Sequence, residues 1–327
     1  MAEIGTVAIG RNEGDRLRRC LASVVKEVAA VVYVDSGSQD DSVAFAHSLG
    51  VETVALDLSV PFTAARARNQ GFQRLVEVKP DIEYVQFLDG DCEMQPGWLA
   101  RAAQEMASRP DAAVVCGRRR ERFPQASVYN LLCDIEWDTP VGTAHSCGGD
   151  ALLRVAAFRE VGGYDPGVIA GEEPELCLRL RRRSWLVLRI DAEMTLHDAD
   201  MHRFGQWWRR SLRSGFAYAL GANLHGRSPD RHCVRERRSA LLWGFAVPAV
   251  AVGAVLPSGG LSLLLGLLYP LQVLRVYRWM RRRGIARRAA AAYALSCVVA
   301  KFPQFLGVCK FMAHRLHGRP ARIIEYK

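Results

Sequence analysis

The sequence predicts an α/β domain with a mostly parallel sheet flanked by helices, followed by a C-terminal helical, membrane-associated segment. Three observations carry this. Short β-branched runs alternate with helical patterns from about residue 4 to 200, the pattern of a sheet with helices on both faces. Charge is split: residues 1–202 hold 22 basic and 31 acidic side chains, and residues 203–327 hold 22 basic and 3 acidic, so the net +10 joins two parts of opposite sign. The second part also carries uncharged apolar runs bordered by arginines.

The elements follow in order. Thr6 to Gly10 reads as a strand, and Leu17, Cys20, Leu21, Val24, Val25 and Val28 then recur at helical spacing before a second strand, Val31 to Val34. A helix over 41–49, a strand over 51–55, a helix over 61–79 and a strand over 84–88 continue the alternation. A helix over 96–108 and a strand over 112–116 follow. Sheets of this kind bind ligands at the carboxyl ends of their strands. Domains are expected at 1–202 (catalytic), 203–238 (a basic amphipathic linker) and 239–327 (a hydrophobic and basic helical region).

In that last region, residues 239–256 form an 18-residue uncharged run, Pro257-Ser258-Gly259-Gly260 can turn, and residues 261–274 form a second uncharged run of 14. A helical span takes about 17–25 residues. The first run just reaches, and the second reaches only if Arg275 and Arg278 snorkel, so two tilted spans and a re-entrant hairpin both fit. Arg235, Arg237 and Arg238 precede the pair, and Arg275, Arg278, Arg281, Arg282, Arg283, Arg287 and Arg288 follow it, which puts both flanks on the cytoplasmic side. A third stretch, 289–312, is interrupted by Lys301, Pro303 and Lys310 and reads as interfacial or partly inserted. A soluble helical domain is the plainer alternative. Basic patches also bind nucleic acid, but the apolar runs between the arginine clusters favour lipid, and no nucleic-acid partner is expected.

Composition excludes other classes. Half the residues are apolar, which rules out a disordered or collagen-like chain. Nine cysteines without a C-x-x-C pair in a chain of this size point to buried thiols in a reducing compartment. The start, Met1-Ala2-Glu3, lacks the basic segment and longer apolar run of a secretory signal. The expectation is a protein of the inner, cytoplasmic membrane with its first domain facing the cytoplasm.

The strongest chemical signal is Phe87-Leu88-Asp89-Gly90-Asp91. Two carboxylates at a strand's end can hold a divalent cation against the oxygens of a diphosphate, and the glycine lets the chain turn. Asp35 directly follows another strand and is placed to accept hydrogen bonds from a base or ribose, with Ser36-Gly37-Ser38 allowing close approach. Arg66, Arg68 and Asn69 lie near the start of a helix, where cations are unfavourable, so their placement suggests they face an anion. In Gly171-Glu172-Glu173-Pro174-Glu175, one carboxylate near the diphosphate can act as a general base. His197 follows a strand-like run, 185–190, and is a candidate third metal ligand through its imidazole.

Together these residues resemble the inverting glycosyltransferases of family 2, whose catalytic domain has the GT-A fold. The resemblance is an ordered series: Gly10-Arg11-Asn12-Glu13, Asp35-Ser36-Gly37-Ser38, Ala67-Arg68-Asn69 with Gly71, Asp89-Gly90-Asp91, Val161-Gly162-Gly163-Tyr164-Asp165 and Gly171-Glu172-Glu173. It implies that Asp35 binds the nucleoside, that Arg11, Asn12 and Glu13 line the same pocket, and that Asp89 and Asp91 serve the nucleotide and a divalent Mg or Mn ion. Glu173 stands where the family usually has the Asp of a Glu-Asp pair, so Glu172 and Glu173 are both carried as candidate bases. Gly149 and Asp150 match the region facing the donor sugar and acceptor. Gln206-Trp207-Trp208-Arg209-Arg210 departs from the order of the processive members' motif, which argues for transfer of a single sugar.

The expected activity is that of a metal-dependent, hexosyltransferase-type enzyme moving one sugar from a nucleotide-sugar donor to a hydroxyl. The acceptor is expected to be a polyprenyl-diphosphate-linked or other glycan in cell-surface or exopolysaccharide synthesis, with anionic lipids as further partners. The rivals are a metal-dependent nucleotidyltransferase and a non-catalytic membrane-bound nucleotide- or lipid-binding protein.

Overall fold

The computed structural model describes residues 3–317; residues 318–327, the end of the basic C-terminal region, lie outside the described residues. The elements run β1 (Ile4–Gly10), α1 (Asp15–Ala22), β2 (Ala30–Asp35), α2 (Ser42–Ser48), β3 (Glu52–Ala55), α3 (Ala64–Val78), β4 (Tyr84–Asp89) and β5 (Cys92–Met94). Next come α4 (Trp98–Ser108), β6 (Ala112–Glu121), α5 (Val128–Glu136), β7 (Gly142–Thr143), β8 (Ala151–Arg154), α6 (Val155–Glu160), α7 (Glu172–Arg182) and β9 (Leu186–His197). The helical remainder is α8 (Phe204–His225), α9 (Val234–Leu241), a π-helical turn (Leu242–Ala246), α10 (Val247–Gly253), a 3-10 segment (Leu261–Leu267), α11 (Leu268–Arg282), α12 (Arg287–Val299) and α13 (Lys301–Leu316).

Two compact units result. The first comprises Met1–Phe123 with Glu136–Ala199, and the second Pro124–Ile135 with Asp200–Lys327. The first unit is a mixed sheet flanked by helices, in the order β3-β2-β1-β4-β8-β6-β9-β5, with β7 pairing β9. β3, β2, β1 and β4 are parallel, as their helical crossovers require. β8 enters antiparallel between β4 and β6, and β5 closes antiparallel on β9. Register delivers Asp35, at the end of β2, beside Gly10, and Asp89, at the end of β4, beside Ile9, so both carboxylates emerge on one edge of the sheet. In the core beneath, Phe87, Phe158 and Tyr164 meet edge-on or tilted, and a Cβ at Gly71 would lie 2.4 Å from Val7 Cγ1, so α3 sits hard against β1.

The second unit is helical. α8 and α13 touch through backbone, since a Cβ at Gly215 would be 2.0 Å from the Gln304 carbonyl oxygen and one at Gly307 2.1 Å from that of Leu212. Small residues at a helix crossing are the packing device of membrane helices. Gly244 meets Lys301 in the same way, at 2.4 Å. α5 belongs to this unit: Asn130 Oδ1 accepts from Met201 N at 3.1 Å, and Leu132 packs with Trp207 and Ala300. Gln206, in the segment compared above with a processive motif, accepts from Arg203 N at 2.9 Å and caps the start of α8.

The first two apolar runs form the arms of a helical hairpin. The run 239–256 is one helical path containing a π turn and ending at Gly253. Among the described residues, the one helix long and apolar enough to cross a membrane, by length and composition, is 287–316, which contains the third stretch, 289–312. Pro303 lies in the first turn of α13, just after the turn at Ala300 that separates it from α12, where its missing N–H costs little.

Candidate active site

The site is built on Arg68. Two residues apart on α3, Arg66 and Arg68 project from opposite sides of the helix. Arg68, almost fully buried, donates from Nη2 to Asp89 Oδ1 at 2.7 Å and from Nη1 to Glu172 Oε1 at 3.0 Å, with Glu173 Oε1 at 3.3 Å. One guanidinium thus joins the end of β4 to the start of α7. Gly149 makes this crossing feasible, because a Cβ there would lie 2.4 Å from Arg68 Nη2 and 2.7 Å from Asp89 Oδ2. Arg66 is not brought to the cluster: it donates to the carbonyls of Val60, Pro61 and Asp57 and holds that loop.

Asp89 has further support. Its backbone N–H donates to Asp150 Oδ1 at 3.1 Å, and Asp150, completely buried, also accepts from Thr195 at 2.8 Å and pairs with Arg119 Nη2 at 2.8 Å. Arg119 reaches Asp89 Oδ2 at 3.5 Å. Burial alone would raise the Asp89 carboxyl, but the guanidiniums of Arg68 and Arg119 outweigh it and hold the group well below the usual carboxylate range. Asp150, expected at the donor sugar, is buried beneath Asp89 and aims it. Gly90 owes its identity to close approach, since a Cβ would stand 3.0 Å from the Ile9 carbonyl oxygen; its φ is not in the left-handed range.

Asp91 meets His197 because β5 and β9 pair with Cys92 opposite His197. His197 Nε2 lies 3.4 Å from Asp91 Oδ1, its Nδ1 has no hydrogen-bond partner, and its ring packs against Trp137 at 4.6 Å. Asp91, Cys92 and His197 form one cluster with metal-ligand spacing, and Asp89, Cys92 and Asp150 a second. The donors fit a divalent ion at Asp91 and His197, a carboxylate oxygen and an imidazole nitrogen within one ion's reach. Cys92 fits less well, because burial, then the Asp150 carboxylate, raise its thiol well above its ordinary value and disfavour the ligating thiolate.

The two candidate bases differ. Gly171, at φ +81, turns the chain into α7 so that Glu172 and Glu173 share its first turn. Glu172 is 5% exposed in its side chain and hydrogen-bonded to Arg68, whereas Glu173 is 16% exposed. Burial, then the neighbouring Glu172 charge, push Glu173 up to about 7 against the pull of Arg68. Glu175 is committed elsewhere, accepting from Arg179 Nε at 2.8 Å.

Asp35 is the keystone of its own turn. It accepts from Tyr33 OH at 2.9 Å and from the N–H groups of Gly37 and Ser38 at 3.0 and 2.9 Å, leaving about one of a carboxylate's four lone-pair sites open. Asn12, at φ +54, joins the neighbouring loop by donating from N to Ser38 Oγ at 2.9 Å and accepting from Gln39 N at 2.7 Å. Arg11 is exposed beside it, and Glu13 lies against Gly10 and Gly90 and pairs with Arg16 at 2.9 Å. Asn69 does not face this space: its amide makes two hydrogen bonds to the backbone of Tyr164, at 2.7 and 2.9 Å.

Arg119, Thr195, Cys92 and Trp137 had no sequence signal as site residues. Arg119 sits within Arg118-Arg119-Arg120, which reads as exposed charge, but β-bulges at 116–119 re-aim these side chains and turn Arg119 inward.

Comparisons with known proteins bear on the family and the fold. Residues 9–162 match the family model described as Glycosyl transferase family 2. A TPR repeat-containing protein of Synechococcus elongatus is 38% identical over 163 residues, 47% of this chain and 38% of that protein, so the chain spans well under half the length of that curated relative. The structure is similar to a mannosyltransferase from Pyrobaculum calidifontis solved in complex with GDP-Man and Mn2+, with a TM-score of 0.60 and 16% identity over 93% of this chain and 87% of that one. At that identity the likeness is one of fold. The resemblance read from the motifs therefore holds over residues 9–162, which match the glycosyl transferase family 2 model, on a GT-A-like mixed sheet.

Proposed function

We propose that this glycosyl transferase family 2 domain moves one sugar from a nucleotide-sugar donor to an acceptor hydroxyl with inversion, Glu173 serving as the base. The observation that carries the reading is the single guanidinium of Arg68, which holds Asp89, on the nucleotide side, within one residue's reach of Glu172 and Glu173. Glu173 is the more accessible of the pair, and its carboxyl titrates near neutrality, as a base working at cellular pH requires. Glu172 is tied to Arg68 and orients it.

The step balances simply. The acceptor oxygen bonds to the anomeric carbon as its proton passes to Glu173, and the bond from that carbon to the diphosphate oxygen breaks, its electron pair leaving with the nucleoside diphosphate. One displacement from the opposite face inverts the carbon. Asp91 and His197 would hold a divalent Mg or Mn ion, with Asp89 beside them, and such an ion when bound neutralises charge on the departing diphosphate. Asp35, with the loop of Arg11, Asn12 and Glu13, receives the nucleoside.

The helical unit is read as a membrane dock at the cytoplasmic face, supported by exposed leucines between arginine clusters. There a polyprenyl-diphosphate-linked saccharide, as in cell-surface polysaccharide synthesis, can present its hydroxyl. The test is a screen of nucleotide sugars against the purified full chain, with Mg or Mn and lipid extract. Release of nucleoside diphosphate is expected from at least one donor. Release of pyrophosphate, or of nothing, would contradict the reading.

A further inference from the structure

The densest run of exposed large apolar side chains on the described residues lies in residues 239–274, a helical hairpin whose apex, Leu256, is 93% exposed. Leu261, Leu263, Leu264, Leu267 and Leu271 all lie open along its second arm. In water this surface is costly, at about 25 cal/mol per Å². In lipid the cost reverses, provided that no backbone polar group is left without a partner.

Most amides of the turn meet that condition. The amides of residues 254, 255 and 258–263 all donate within the hairpin, including Gly260 N to the Val255 carbonyl at 2.8 Å. Its two hydroxyls are also satisfied internally: Ser258 Oγ donates to the Ala254 carbonyl, and Ser262 Oγ crosses to the Ala251 carbonyl at 2.7 Å. Gly259 and Gly260, at φ +58 and +88, allow the chain to close this tightly. Nearer the base, Tyr269 OH donates to the Trp243 carbonyl at 2.6 Å, within the π turn. A water-facing loop has no need of such closure.

Length then decides between crossing and returning. From residue 239 to the apex at Leu256, the first arm is at most about 27 Å long at 1.5 Å per residue. The second, the 3-10 segment and the first part of α11 up to Arg275, reaches about 24 Å. A bilayer's hydrocarbon core is about 30 Å. Both bases carry arginines, Arg235, Arg237 and Arg238 on one and Arg275 and Arg278 on the other, matched to anionic headgroups on a single face.

We infer that this hairpin is a re-entrant wedge: it enters the acyl chains of the leaflet next to the arginines, turns at Leu256 inside the hydrocarbon, and leaves by the same face. The inference rests on the membrane reading above and adds depth and topology to it.

The test uses the full chain reconstituted in phosphatidylcholine and phosphatidylglycerol vesicles. Leu256→Cys is labelled with a bimane probe, and Gly253→Cys and Gly266→Cys serve as additional sites, since a Cβ at either glycine meets nothing within 4 Å. Background from native thiols is set by the parent chain, and quenching is read with lipids brominated at defined depths. The wedge predicts strongest quenching of position 256 from deep bromines, weaker quenching at 253 and 266, and protection of 256 from aqueous quencher on either side. Position 256 quenched mainly near the headgroups of the far leaflet, or by aqueous quencher on that side, would overturn the wedge and leave membrane docking intact. Failure of the full chain to float with the vesicles would overturn both.

Discussion

The two units solve opposite problems with the same chain. The first buries charge: Arg68 and Glu172 pair with each other and Asp150 pairs with Arg119, all of them buried or nearly so. The second exposes apolar surface: its leucines face outward while its helices meet through glycine. Buried ion pairs are weak contributors to stability and sensitive to the loss of either partner, so their concentration around Asp89 marks the place where stability is subordinated to chemistry. Exposed leucine is the surface read above as the membrane dock. The net charges of −9 and +19 on the two parts of the sequence express the same division.

This contrast can be broken at either end. The largest effect is expected from Glu173→Gln, which removes the base and should lower the transfer rate by about 10²–10⁴-fold with nucleotide binding kept, as measured by nucleoside diphosphate release alongside titration calorimetry. Arg68→Met leaves three carboxylates without their shared cation and should cost about 3–5 kcal/mol of stability, read from denaturant unfolding; Arg68→Lys should recover part of it but not the two-sided geometry. In the second unit, Gly215→Val drives a side chain into the Gln304 carbonyl and should cost about 1–3 kcal/mol while leaving nucleotide binding in the first unit unchanged. Equal losses of nucleotide binding from Gly215→Val and from Asp35→Ala would show that the division is not real. Arg120→Ala breaks a half-exposed pair with Glu193 and should change stability by no more than about 0.5 kcal/mol.

Much of the first unit is legible in the sequence because its signals are local. Strands end where Asp35 and Asp89 stand, and the alternation of β-branched runs with helical spacing places both at the same edge. The paired acids of Glu172-Glu173 announce a helix start, which is where they are found. The remainder depends on contacts distant in sequence. Nothing local separates Arg66 from Arg68; only the rotation of α3 sends one to backbone carbonyls and the other to Asp89. Asn69 reads as a ligand group but spends its amide on Tyr164, 95 residues away. β8 is four residues long and too short to announce itself, yet it follows Asp150, the group that holds the Asp89 backbone. The apolar runs are visible by composition, but which of them makes a long helix depends on a π turn at 242–246 and on where Pro303 falls within its turn.

The central claim, that Glu173 is a buried base poised by Glu172 and Arg68, is tested most directly by the pH dependence of kcat/KM for nucleoside diphosphate release. A base must be unprotonated to accept, so activity in the parent chain should fall about tenfold per pH unit below its pKa, with the bend near 7 that burial and Glu172 impose. Glu173→Gln should lose both the rate and the bend. If Glu173→Gln instead kept turnover with the same bend near neutrality, the base would be another group and the account of this site would be wrong.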